Sequence, residues 1–406
     1  MKSQLPNMTR KKVLIAGGGI SGMAAALALA QSGWQASVLE RASAFSEVGA
    51  GIQLGPNVTR VLQGWGLGPQ LQAVAAFPPE LQVRCAQGGR LLGRLPLGER
   101  AMRLYGAPYV TIHRADCHAL LAEAAQEAGA QIHNGQALER WESDDAGVRA
   151  FTAQAEHEAQ ALIGADGLWS TVRQTLLADG PPQPIGHLAW RAMLNQADLP
   201  AALRSSCVTL WLGERMHAVQ YPVRRGEWLN LVVITQDAQA EQAREPGWDL
   251  QANAYDLLAQ TGAVCAPLRE LLEAAGQASV NPYAWRLWQL CVRPPVQSAG
   301  QMAQGRVALL GDAAHPMPPY LAQGAGMAIE DAQALGLCLK DEQALPQQLA
   351  RYAERRWMRC ARVQKRALRN AEIFHASGFM LWGRNMAMRL LGERLLDMPW
   401  LYSYGV

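Results

Sequence analysis

The sequence predicts an α/β fold: a domain built on a parallel sheet, an inserted and mostly antiparallel β-sheet domain, and a helical C-terminal segment. Two observations predict it. Near the N-terminus, buried-strand patterns at 13–16 and 36–39 flank a helical pattern at 21–31, the alternation that builds a parallel sheet. Between 181 and 235 the pattern changes. Residues 188–194, 208–212, 217–223 and 228–235 read as strands with no helix between them, which makes an antiparallel sheet and a second domain. The boundaries drawn this way are 11–80, 101–182 and 290–345 for the first domain, 81–100 and 183–289 for the second, and 346–406 for the helical segment.

Composition narrows the function classes. Half of the 406 residues are apolar, ample for a large core, and a net charge of +3 is too small to imply a nucleic acid or a membrane surface. Seven cysteines, odd in number and without a C-x-x-C, point to reduced thiols, a cytoplasmic setting and no metal site. The apolar run 13–30 is long enough to mimic a membrane span, but glycines and a serine interrupt it, and a nucleotide fingerprint accounts for them better.

That fingerprint is Gly17-x-Gly19-x-x-Gly22, between the first strand and the first helix. Gly17 permits the tight turn, Gly19 leaves a pyrophosphate room at the helix N-terminus, and Gly22 lets helix and strand pack closely. The unpaired N–H groups there, with Ser21 in the first turn, suit phosphate. Glu40, at the end of the second strand, can accept from both ribose hydroxyls. Together these make a Rossmann-like dinucleotide site.

The rest of the chain adds pieces in order. Residues 46–57 hold four small residues among twelve, which suggests backbone kept close to a ligand, and a helix follows at 58–65. Residues 81–97 read as a hairpin turning at Gln87-Gly88-Gly89. Arg114 stands at the entrance of a helix over 115–128, where it meets phosphates or serves as a surface arginine. A strand at 161–164 runs into Asp166-Gly167-x-x-Ser170-x-x-Arg173, with the acid at the strand's carboxyl end. Residues 249–275 look helical. A strand at 307–310 ends in Gly311-Asp312-Ala313-Ala314-His315-Pro316, a stiff loop through Pro318 and Pro319 follows, and Gly324-Ala325-Gly326-Met327 opens a helix to residue 339. A helix at 348–371 carries Arg351, Arg355, Arg359, Arg362, Lys365, Arg366 and Arg369 mostly on one face, read as solvated. The aromatic C-terminus, Trp400, Tyr402 and Tyr404, suits either a partner chain in a homodimer or the chain's own domain, with the second preferred.

The three ordered motifs, at 17–22, 166–173 and 311–316, resemble those of the single-component FAD-dependent aromatic hydroxylases of the p-hydroxybenzoate hydroxylase fold, in the branch of salicylate hydroxylase, 3-hydroxybenzoate 6-hydroxylase and 6-hydroxynicotinate 3-monooxygenase. The resemblance implies a Rossmann-like FAD-binding domain with bound FAD. Glu40 and Arg41 would hold the AMP ribose side, Leu138, in a strand after Gly135, would touch adenine, and Arg114 would meet the pyrophosphate or ribityl chain. Asp166 would serve both FAD and the pyridine nucleotide, Asp312 would bind the ribityl hydroxyls, and the amides of Gly324, Ala325, Gly326 and Met327 would face the flavin N1–C2=O edge. It also implies NAD(P)H as reductant, with NADH preferred, and no second nucleotide domain. By the same resemblance, O2 would add to the flavin as a C4a-hydroperoxide that hydroxylates a phenolic ring.

Such chemistry needs a base or acceptor near the substrate hydroxyl. His217 and Tyr221, four apart on one strand, share a face, and the related enzymes have a His-x-x-x-Tyr pair on the matching strand. The expectation is that His217 takes the phenol proton and Tyr221 orients the ring. Gln53 stands where the pyridine-hydroxylating relative has a histidine, which counts against a hydroxynicotinate. Pro319 stands where 3-hydroxybenzoate enzymes carry a glutamine, which counts against that assignment. Arg191 has two readings, a substrate carboxylate or a structural acid. The family's Asp-Arg after the Trp near 285 is replaced by Trp288-Gln289-Leu290. Two other functions compete: a different flavin redox enzyme of the same fold (dehydrogenase, reductase or NADH oxidase), and a non-catalytic flavin-binding protein. The proline loop and the His217 and Tyr221 pair favour hydroxylation of a small aromatic acid.

Overall fold

A computed structural model describes residues 11–45, 50–237, 250–277 and 285–405. Residues 46–49 of the small-residue stretch, and 1–10 of the N-terminal tail, lie outside the described residues. One layer is a six-stranded sheet in the order Ala303–Gln304, Val307–Leu309, Ala161–Gly164, Lys12–Ala16, Gln35–Glu40, Gln131–Asn134. Its pairings are parallel except for the short hairpin of the first two strands. From Lys12–Ala16 the strand order runs one way to Gln35–Glu40 and the other way to Ala161–Gly164. The carboxyl ends of these three strands therefore open a crevice of the kind where open α/β sheets bind ligands.

The first helix, Ile20–Gln31, is apolar on nearly every side because it is sandwiched between that sheet and the helix Gly324–Cys338. Its alanines let the neighbour approach closely. A Cβ on Gly336 would lie 2.9 Å from the Ala28 carbonyl oxygen. Trp34 Nε1 donates to Leu339 O at 3.1 Å and locks the two ends together.

The second layer is an eight-stranded sheet, in the order Leu250–Ala252, Trp285–Val292, Gln183–Asn195, Trp228–Gln236, Met216–Val223, Val208–Leu212, Glu80–Cys85, Leu91–Pro96. All of its pairs are antiparallel except Val208–Leu212 with Glu80–Cys85. The hairpin expected at 81–97 supplies its last two strands. The boundary drawn at 290 falls inside the strand Trp285–Val292, because Pro184 and Gln183 pair with Cys291 and Val292 and carry the sheet past that point. The helical stretch expected at 249–275 is a short strand and two helices, Ala254–Thr261 and Ala266–Gln277, broken at Gly262 with φ +65. A two-stranded ribbon, Gly51–Leu54 with Val110–His113, spans the space between the layers.

The C-terminal part begins with the long helix Leu345–Phe374 and continues through Gly378–Leu391. The basic face is only partly solvated: Arg359 turns inward onto Glu330, and Arg366 is half-buried. Leu401 and Tyr402 lie in the core, while Arg362 stacks on Trp400 at 4.1 Å and Arg359 on Tyr404 at 4.0 Å. The aromatic C-terminus thus packs on its own chain. All seven cysteines are free thiols, and among the described residues no helix is long and apolar enough to cross a membrane.

Candidate active site

The three glycines of the first loop do different work. Gly17 has φ +95, and a Cβ there would lie 2.6 Å from Ala165 O, so the turn is pressed against the neighbouring strand end. A Cβ on Gly22 would lie 1.9 Å from Gly17 O, so loop and helix close on each other. A Cβ on Gly19 would meet nothing within 4 Å. That open side faces the start of the helix, where the first intrahelical bond is Met23 N to Gly19 O at 2.9 Å. The amides of Ile20, Ser21 and Gly22 precede it and have no helical acceptor. A pyrophosphate fits this cradle by space and by charge.

Glu40 closes the loop from the far side. Its carboxylate accepts from Gly18 N at 2.6 Å and from Ala42 N at 2.8 Å, which aims it at the glycine turn, and Arg41 beside it is exposed. Leu138 is not in a strand: it lies in the connection after Gln131–Asn134, half-buried, in a segment tied to Glu40 by Gln136 N to Glu40 O at 2.7 Å. The turn at Gly135 ends the strand pairing before Leu138 is reached. Ser21 Oγ lies against Gly311, where a Cβ would be 2.3 Å from it, so this hydroxyl supports the 311 turn. Asp166 spends both oxygens locally, accepting from Ser170 Oγ at 2.5 Å and Val172 N at 3.1 Å. Burial raises its carboxyl above the usual range and these bonds pull it back. Asp312 is raised by burial too, with the charges of His315 and Arg114 opposing.

A second free helix start faces the same crevice. In Gly324–Cys338 the first bond is Met327 N to Gln323 O at 2.8 Å, so the amides of Gly324, Ala325 and Gly326 are unpaired by the helix. The expectation that Met327 joins them is corrected: its amide is spent in that bond and its side chain is fully buried. This helix is held by a buried charge cluster. Arg356 meets Asp331 at 2.7 Å and Glu330 at 2.9 Å, Arg359 meets Glu330 at 2.7 Å, and His315 meets Asp331 at 2.5 Å. Burial opposes all of these charges. Nevertheless His315 and Arg356 hold the Asp331 carboxyl down at about 2, and Cys360 and Asp331 hold the His315 imidazole well above its usual range. His315, Asp331 and Cys360 present ligand atoms within 4.8 Å of one another. With Asp331 already committed to Arg356 and His315, the group reads as an ion-pair cluster.

Next to that helix start is a cavity of about 590 Å³, within the range of small-molecule sites. One wall is the segment Pro319–Leu321 with Ala322. The face of the large sheet adds Leu210, Val219 and His217 to the lining, and the C-terminal helices add Asn370, Phe374, Met380 and Arg384. Gln53 reaches it from the two-stranded ribbon, its Oε1 accepting from Tyr109 Oη at 2.6 Å. His217 is 3 % exposed, and its Nδ1 lies 2.9 Å from His375 Nε2. Burial, then His187 and Arg384, bring its imidazole down to about 3, so it is neutral.

The structure brings together His217, Gln53 and Pro319, but not Tyr221 or Arg191, which do not line this cavity. Tyr221 shares the face with His217 as expected, yet its ring packs against Gly51, where a Cβ would be 2.5 Å away. Arg191 lies on the same sheet face, but in register with Val232 and, beyond it, Val219. Two strand spacings put it roughly 10 Å from the cavity wall. It stacks on Trp288 at 4.7 Å, which gives that departure from the family pattern a local role. Sequence reasoning missed Tyr109, Tyr320, His187, His375 and Arg384. No spacing signalled them, because they come from five separate segments. It also missed the reach of Arg173, which donates to Ala313 O at 3.0 Å and Ala314 O at 2.6 Å and so ties the second motif to the third.

Comparison with known proteins decides the family. A family model described as FAD binding domain matches residues 10–367. The chain belongs to that family. It is 37% identical over 401 residues to a 3-hydroxybenzoate 6-hydroxylase of Polaromonas naphthalenivorans, covering 97% of this chain and 96% of the relative. It is 33% identical over 359 residues to a 6-hydroxynicotinate 3-monooxygenase of Pseudomonas fluorescens, covering 87% and 89%. The fold is shared with a solved salicylate hydroxylase substrate complex at a TM-score of 0.79 and 24% identity, covering 98% and 96%. This kinship makes the chain an FAD-dependent aromatic-ring monooxygenase. The open side of Gly19 and the two free helix starts fit that cofactor's pyrophosphate and ring edge.

Proposed function

We propose that the chain hydroxylates a phenolic aromatic acid of the salicylate or hydroxybenzoate kind, with FAD, a nicotinamide nucleotide and O2. The observation that carries the reading is the cavity. It is mainly apolar, its wall at Pro319 to Ala322 belongs to the segment that leads into the free helix start at Gly324, and it presents one neutral buried imidazole, His217. The relatives named for hydroxybenzoate and hydroxynicotinate support a small aromatic acid. Gln53 cannot take a proton, which favours a benzene ring over a hydroxypyridine.

Bound FAD, reduced by the nicotinamide nucleotide, supplies the activated oxygen. The chain's own residues supply the rest. The unpaired helix-start amides favour negative charge at the ring edge they face. Gln53 lines the cavity, and with its carbonyl taken by Tyr109 its amide N–H groups remain as the donors it can offer there. The apolar lining keeps water out and strengthens each remaining polar contact. His217 meets the phenolic oxygen, because an ionised phenol is the stronger nucleophile.

Measuring NAD(P)H oxidation stimulated by a panel of hydroxybenzoates and hydroxypyridines, with the product identified, tests this. Hydroxylated product from at least one phenolic acid is expected. No stimulation and no product overturn the reading. His217→Ala is expected to cut product formation at least tenfold across about pH 6 to 9; an unchanged rate removes His217 from the chemistry.

A further inference from the structure

Three imidazoles and a phenol meet behind the cavity wall. His217 Nδ1 lies 2.9 Å from Nε2 of His375, the residue that ends the long helix. The rings of His375 and His187 are 4.6 Å apart, and His187 Nδ1 is bonded to Tyr320 Oη. Phe374 packs edge-on to His217. Arg384 donates to Phe374 O at 2.7 Å and Ile373 O at 3.3 Å, which pins the helix end that carries His375. Burial brings the His187 imidazole to about 4 and that of His217 to about 3, and drives His375 lower still, with Arg384 adding to the depression of the last two. The pair is therefore neutral.

A hydrogen bond between two neutral imidazoles has two forms. Either His217 donates from Nδ1 and is bare at Nε2, or His375 donates from Nε2 and His217 carries its proton on Nε2. The remaining nitrogen of His375 decides between them. His375 Nδ1 is buried and has no partner among the described residues. In the first form it is a stranded N–H, and in the second a bare lone pair. A stranded buried donor is the rarer and costlier of the two.

We propose that His375 is a positioning residue that sets the tautomer of His217, so that His217 meets the phenolic oxygen as an Nε2–H donor and the cavity holds the substrate as its phenolate. The inference rests on the reading that His217 meets the phenolic oxygen. The phenol proton leaves to solvent as the substrate binds, and His217 neither gains nor loses one, which replaces the expectation that His217 takes that proton. Arg384 lines the same cavity and has no carboxylate partner among the described residues, so it also favours an anion there.

The experiment uses the holoenzyme with a phenolic acid that it hydroxylates. Ultraviolet difference spectra follow ionisation of the bound phenol against pH. In wild type the bound phenol is expected to titrate at least about one unit below its free value. His375→Phe should move that titration back up by at least about one unit, and His375→Gln, which keeps a side-chain N–H donor, should restore most of the shift. A purely structural His375 would leave the bound titration equal in both variants whatever the loss of thermal stability, and that result overturns the proposal. So does a wild-type phenol that titrates at its free value. If wild type neither binds nor hydroxylates any phenolic acid, the functional reading fails and this inference falls with it.

Discussion

The imidazole cluster makes the protein acid-sensitive in a way that can be counted. His187, His217 and His375 are held neutral in the folded chain by burial. In the unfolded chain each titrates near 6.5. The unfolded state therefore binds more protons as the pH falls, and stability that is complete above about pH 6.5 is lost below it. With the folded values at about 4 for His187, about 3 for His217 and lower for His375, almost none is protonated when folded at pH 5. Integrating from pH 7 to 5 gives about 1.9 kcal/mol per imidazole, or about 6 kcal/mol for three. His375→Phe removes one titrating group, so the variant should lose only about 4 kcal/mol over the same interval. At a urea m-value of about 3 kcal/mol/M, the pH-dependent shift of the midpoint should shrink by about 0.6 M. Urea unfolding of the FAD-saturated protein and its variant at the two pH values measures this. The comparison is between slopes, so any baseline destabilisation cancels. Equal shifts for both proteins would refute the claim that His375 is neutral and buried in the native state.

Other outcomes follow from the packing around the cofactor site. Gly19→Val should fold with its stability within about 0.5 kcal/mol of wild type, since its Cβ meets nothing, yet lose flavin affinity at least about 100-fold. Absorbance of the purified protein and a flavin titration check both. Gly22→Ala should instead destabilise the fold itself, because its Cβ would lie 1.9 Å from the Gly17 carbonyl oxygen; a melting temperature equal to wild type would contradict that. Asp331→Asn should cost about 3–5 kcal/mol by leaving His315 without its anion and Arg356 with Glu330 alone, read as a loss of denaturation midpoint.

Much of the cofactor site was legible in the linear order of residues. Glycine spacing, a strand before and a helix after, and an acid at the next strand's end all act within some thirty residues, and short-range geometry leaves them few alternatives. The departures there have local causes. Met327 was counted among the free amides although the fourth residue of a helix already has its acceptor, and Leu138 falls past the turn at Gly135 that ends its strand. The substrate side was less legible. The strand carrying His217 and Tyr221 was correctly read as placing both on one face. A face is much wider than a site, however, and Tyr221 faces Gly51 while His217 faces the cavity.

By itself the sequence determined the layer architecture, the family and the candidate nucleotide cradle, because period, glycine position and strand-end acids are properties of neighbours along the chain. Only the tertiary structure decided what stands beside His217. The long helix shows by its periodicity that one side is buried, but not what that side is buried against. Its last turn brings His375 to 2.9 Å from His217, and Arg384 from the next helix locks that end in place. His375 and His217 are 158 positions apart in the chain, and no local rule relates them. Burial then acts on the assembled group, holding His217 neutral, and so the chemical state of the proposed substrate-facing imidazole is a consequence of the fold and not of its place in the chain.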